Sequence, residues 1–104
     1  MANERLEILK NLAAQNPKDS FSRYGLAMEY ANTGDLGTAV EEYGKLLADN
    51  PKYAAAYFHG GQALEKLDRL DEARGMYERG IAVTTETGDL HTRSEIQAAL
   101  DLLG

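Results

Sequence analysis

The sequence predicts an all-α fold built from antiparallel helix hairpins. Two observations lead there. First, Asn16-Pro17-Lys18 recurs as Asn50-Pro51-Lys52, a spacing of 34 residues. Laying residues 20–53 over 54–87 at that offset matches Leu36 with Leu70, Ala39 with Ala73, Tyr43 with Tyr77 and Ala48 with Ala82. It also pairs Tyr24 with Phe58, Ala27 with Gly61, Lys45 with Arg79 and Leu47 with Ile81. Second, Leu36, Ala39, Tyr43 and Leu47 stand three and four residues apart, which is the spacing of one buried helix face.

Six helices follow in order. In the first, at about 3–15, Leu6, Leu9, Leu12 and Ala13 share a face, and Asn16-Pro17 closes it because proline disfavours helix in the residue before it. The second, 20–33, ends at Asn32-Thr33-Gly34-Asp35. There Gly34 can take a left-handed cap and Asp35 can cap the third helix, 36–49. The fourth and fifth, 54–67 and 70–86, meet at the equivalent break Leu67-Asp68-Arg69. Thr84-Thr85 replace the Asn-Pro that ends the first unit, so the fifth helix can run on to Thr87. The sixth, 90–103, is therefore expected to shift in register against the repeat. It follows Gly88-Asp89 and places Ile96, Ala99, Leu100 and Leu103 at i, i+3, i+4 and i+7.

Small residues recur at matching places. Ala27 and Gly61 lie inside first helices, and Ala39 and Ala73 near the starts of second helices, where a missing side chain lets two backbones approach. A helix-interior glycine costs about 1 kcal/mol relative to alanine, which implies a packing return, with Tyr43 and Tyr77 as the large partners.

At 104 residues and 43% hydrophobic the chain makes one domain. It divides into an N-terminal helix (1–17), a first repeat (20–53), a second (54–87) and a C-terminal capping helix (88–104). No stretch reaches the roughly 18 apolar residues of a membrane span, and Met1-Ala2-Asn3-Glu4-Arg5 lacks the layout of a signal peptide, so a soluble cytoplasmic protein is expected. Without cysteine there is no disulfide framework, thiolate zinc site or Cys nucleophile. Lys and Arg total 11 against 17 Asp and Glu, and a net charge of −6 repels a phosphate backbone, so nucleic acid is not the expected partner.

A 34-residue helix hairpin with the pattern W-x2-L-G-x2-Y, then A-x3-F, then P is the tetratricopeptide repeat (TPR). The first unit carries Leu26-Ala27, Tyr30, Ala39, Tyr43 and Pro51, and the second Tyr57, Gly61, Leu64, Ala73 and Tyr77. Over essentially its whole length the chain resembles a small bacterial-type TPR protein. The resemblance implies hairpins stacked as a short right-handed α-solenoid. The chain departs from the pattern at Arg23, where the family has a large aromatic, at Gly60 for Leu, and at Leu46 for a small residue.

In the proteins it resembles, the first helices of successive repeats line a concave groove that holds a partner's peptide segment. On the second helix Leu26, Ala27 and Tyr30 form the core side, and Phe21, Tyr24, Met28 and Ala31 cluster opposite, where an ordinary surface helix is polar. The matching face of the fourth helix is Ala55, Phe58, Gln62 and Glu65. Aromatic and Met side chains supply contact area and adaptable packing. The expected groove residues are therefore Phe21, Tyr24, Met28 and Phe58 as apolar anchors, Gln62 as an orienting group and Arg93 as a charge contact. The function expected is a scaffold or adaptor binding a protein or peptide partner. Two other readings of the same apolar face stand beside it: a homo-oligomer burying it against a second copy, and burial within the chain's own core. The clamp with which some TPR proteins grip acidic C-terminal tails is absent, since Tyr24, Met28, His59 and Asp89 stand at its places and only Arg93 fits.

Nothing forms a catalytic constellation, and no enzyme activity, metal or cofactor is expected. His59 and His91 lack an i, i+4 ligand pair, although stacking can bring them together with Glu95 nearby. Glu41-Glu42 and Asp71-Glu72 are expected to be solvated carboxylates near helix starts, complementing the helix dipole. Ser20, Ser22 and Ser94 have no His and Asp partners at a recognisable spacing, and no Lys-Ser or Lys-Thr follows Gly60-Gly61.

Overall fold

Local capping chemistry sets most of the helix boundaries. The structure, a computed structural model, describes residues 3–104; Met1 and Ala2, which begin the 1–17 segment, lie outside the described residues. The helices are α1 (Glu4–Gln15), α2 (Ser20–Asn32), α3 (Leu36–Asp49), α4 (Ala54–Lys66), α5 (Leu70–Thr87) and α6 (Leu90–Leu103). The side chains of Asn3, Asp19, Asp35 and Asp89 accept hydrogen bonds from the first-turn amides of Leu6, Phe21, Thr38 and Thr92. Both hairpin turns use a left-handed residue at the same repeat position, Gly34 at φ +90° and Asp68 at φ +60°. As expected, α5 runs to Thr87 and is closed by a left-handed Gly88.

Each helix packs on the next, and the first helices of successive units also touch: α2 meets α4, and α4 meets α6. No such contact joins α3 to α5 among the described residues. The stack therefore curves, with α2, α4 and α6 on its inner side and α3 and α5 splayed on the outer. Between these layers Tyr43, Tyr57, Tyr77, Leu46 and Ile96 are fully buried. The Tyr77 ring occupies the space that a Cβ on Gly61 would take. A Cβ on Gly80 would lie 2.7 Å from Tyr57 Cβ and 2.8 Å from Ile96 Cδ1, so glycine there seats α4 and α6 against α5. The Tyr57 hydroxyl donates to the Pro51 carbonyl at 2.6 Å and fixes the inter-repeat loop to α4.

Three expectations are corrected. Leu12 does not share the burial of Ala13; it is exposed, as is Ile8 one turn earlier, because among the described helices α1 packs on α2 alone. Glu42 is not a solvated carboxylate: it is buried and receives Arg23 Nη1 at 2.8 Å and Lys45 Nζ at 3.3 Å. Arg23, standing where the repeat pattern has an aromatic, thus replaces an apolar contact between α2 and α3 with an ion pair. Tyr24, Met28 and Phe58, on the face opposite the core side, are not separate from the interior; all three pack against the core, the Tyr24 ring centroid 6.3 Å from that of Tyr43.

Candidate partner-binding groove

The inner side begins at α2, which starts at its Asp19 cap and carries Phe21, Tyr24 and Met28. Phe21 is 73% exposed, a large apolar side chain offered to solvent. Tyr24 is half-buried among rings, with centroids 5.2 Å from Tyr53 and 5.8 Å from His59. Phe58 extends the row, edge-on to His59 at 5.2 Å. Burial raises the Tyr24 and Tyr53 hydroxyls above their ordinary acidity constants, and each is raised further by a neighbouring acidic group, Tyr53 for Tyr24 and Asp19 for Tyr53. His59 is pushed below its ordinary value by burial, against the opposing effects of the Gln62 side chain and the nearby Glu95 carboxylate. It is neutral near pH 7.

Beyond this aromatic row lies a recess of about 220 Å³ between α2, α3 and α4. Met28, Ala31, Leu36 and Ala63 give it an apolar lining, while Asn32, His59, Gln62 and Lys66 supply polar groups. Of the sequence-predicted residues, Met28 and Gln62 meet at this recess, Tyr24 and Phe58 flank His59, and Phe21 stands at the α2 entrance. Arg93 is placed apart: its Nε donates to Thr85 Oγ1 at 2.8 Å, tying α6 to α5.

Asn32, Lys66 and the lining role of His59 escaped the sequence reading. Asn32 and Lys66 are 34 residues apart, as are Met28 and Gln62, so extending the repeat offset to polar positions identifies them. His91 does not join His59; it is exposed and lies 3.6 Å from Glu95 on its own helix. Among the described residues no three His, Asp or Glu side chains converge on a common point, and no helix is long and apolar enough to cross a membrane.

Comparison with known proteins agrees with this geometry. No family model matches the chain. It is 28% identical over 95 residues to the TPR repeat-containing protein PA0015 of Pseudomonas aeruginosa, covering 91% of this chain and 90% of that one. The solution structure of a tetratricopeptide repeat domain protein from Salinibacter ruber superposes with a TM-score of 0.79 at 35% identity, covering 85% of this chain and 89% of that one. PcrH, solved in complex with the chaperone binding region of PopD, superposes with a TM-score of 0.88 over 94% of this chain and 74% of its own; at 17% identity this is a likeness of fold. Repeat pattern, hairpin stacking and sequence relatives agree, and the chain belongs to the tetratricopeptide-repeat family.

Proposed function

We propose that this chain is a protein-binding module that holds a segment of a partner protein along the inner face of α2 and α4. The observation that carries the proposal is the exposed Phe21 continuing into the half-buried Tyr24, Phe58 and Met28 beside the recess. An apolar row of this kind, ending in a cavity with an amide, a neutral imidazole and an ammonium, suits a segment with apolar anchors and hydrogen-bonding groups between them. Phe21 and Met28 are the anchors, and Gln62 and Lys66 orient the segment. Arg93 reaches a bound segment only through the part of its guanidinium not held by Thr85. PcrH, with the same fold, is known in complex with a region of its partner, which supports the reading by analogy of fold.

The test is capture of partners from the source cell by the wild-type chain, by Phe21→Ser with Met28→Gln, and by an outer-face control, Glu78→Lys. A protein retained by the wild type and the control but lost by the double variant is the expected result. Equal retention by all three overturns the groove assignment. If the same face instead serves self-association, light scattering shows the double variant losing a dimer and no other partner.

A further inference from the structure

The recess beside α2 and α4 marks a chemical difference between the two repeats. In the second, the buried Tyr77 hydroxyl donates to the carboxylate of Glu65. At the 34-residue offset Tyr43 takes the place of Tyr77, and Ala31 that of Glu65. The Tyr43 hydroxyl is buried with no hydrogen-bond partner among the described residues, and both Tyr43 and Ala31 line the recess. A buried donor without an acceptor is costly, so an acceptor that reaches it gains more than one placed on an open surface. The groups around it are donors as well. Lys66 brings an ammonium, and Asn32 and Gln62 bring amide N–H groups. No acidic residue lines the recess, and Lys66 enters no ion pair among the described residues. The one acidic residue of α2, Glu29, is held by Asn3 and Arg5, and that of α4, Glu65, by Tyr77. Glu95 acts on His59 but is not among the lining residues.

We infer that the recess takes the carboxylate of a Glu or Asp side chain within the partner's segment, which supplies to Tyr43 what Glu65 supplies to Tyr77. This assignment rests on the groove of α2 and α4 and names the chemistry of one residue bound there. A carboxylate accepts from the hydroxyl and the ammonium together, as charge-assisted bonds, whereas a neutral carbonyl oxygen leaves Lys66 without a counter-charge. The apolar lining from Met28, Ala31, Leu36 and Ala63 suits the methylene stem of a side chain. A chain end would press the amide beside its carboxylate against the same surface. Tyr43 is 1% exposed, so the carboxylate reaches it as lining side chains part, and Met28 and Gln62, unbranched and half-buried, are the flexible ones.

The test uses the full chain and a library of short random peptides displayed with their C-termini fused to the carrier, so that only side chains offer carboxylates. Peptides retained by the wild type and lost by Phe21→Ser are expected to share one Glu or Asp. Replacing that residue by Gln or Asn should weaken binding about tenfold or more, the weight of a charge-assisted hydrogen bond. On Tyr43→Phe and Lys66→Met the same replacement should cost much less. Peptides that need Phe21 but share no acid, or whose acid-to-amide replacement costs as much on both variants as on the wild type, overturn the inference and leave the groove reading standing. In a second library with free C-termini, binding that needs the terminal carboxylate and no acidic side chain also overturns it. Peptides indifferent to Phe21→Ser, or none retained, overturn the groove reading and this inference with it. One further measurement needs no ligand. Ala31→Glu places the chain's own carboxylate where the second repeat has Glu65, and should shift the melting temperature upward by about 4 °C or more relative to the same substitution in a Tyr43→Phe background. It should also displace the acidic peptides. An equal shift in the two backgrounds overturns the inference.

Discussion

Tyr43 and Tyr77 hold the same place in successive repeats, but among the described residues only Tyr77 has a hydrogen-bond partner. Its hydroxyl donates to the Glu65 carboxylate, whereas the Tyr43 hydroxyl is buried without one. The cause is one residue: at the position matching Glu65 the first repeat has Ala31. Burial raises both hydroxyls well above their ordinary acidity constant, and at Tyr77 the neighbouring carboxylate adds to it. Tyr43→Phe is therefore expected to leave stability unchanged or raise it by up to about 1 kcal/mol, while Tyr77→Phe lowers it by about 1–3 kcal/mol. Urea denaturation of the two variants checks the contrast, and equal losses would contradict it.

The glycines give a prediction of opposite signs. Gly80→Ala drives a Cβ into Tyr57 and Ile96 and should cost about 1–3 kcal/mol. A Cβ added at Gly75, on the outer side of α5, would meet no other atom within 4 Å among the described residues, so Gly75→Ala gains helix propensity, about 0.5–1 kcal/mol. Thermal melts should move in opposite directions.

The Arg23–Glu42 pair separates a polar contact from its apolar alternative. Arg23→Ala leaves a buried carboxylate with only the exposed Lys45 and should destabilise by about 3 kcal/mol. Arg23→Tyr together with Glu42→Leu restores the aromatic of the repeat pattern and should recover most of that loss. A double variant as unstable as Arg23→Ala would show that the ion pair has no apolar substitute here.

His59 makes stability depend on pH. Its folded value lies below the ordinary 6.5, so as pH falls through 6.5 the unfolded chain takes up the proton first. Stability is complete above that pH, declines below it, and stops declining on this account once the folded imidazole is also protonated. Chemical denaturation between pH 8 and pH 5 should show this slope in the wild type and a flatter one in His59→Gln.

The helices and their order were legible in the chain alone, because periodicity, the Asp and Asn caps and the glycine turns act within a few residues. So was the repeat, and through it the positions of Tyr43, Tyr77, Ala39 and Ala73 in the core. Of the groove, the same reading reached the exposed Phe21 and the recess residues Met28 and Gln62, and Asn32 and Lys66 were within its reach through their shared offset. The rest depends on which helix lies across from which. Glu42 is buried because Arg23 reaches it across the hairpin, a pairing of residues 19 apart that helical spacing on either helix alone does not reveal. Tyr24 belongs partly to the core because Tyr53 and His59, from beyond the next helix, close around it. Arg93 is tied to α5 because that helix is long enough to present Thr85 to it. Ile8 and Leu12 have the spacing of a buried face and are exposed, since burial requires a helix opposite, and whether one stands there is a property of the packed chain and not of α1.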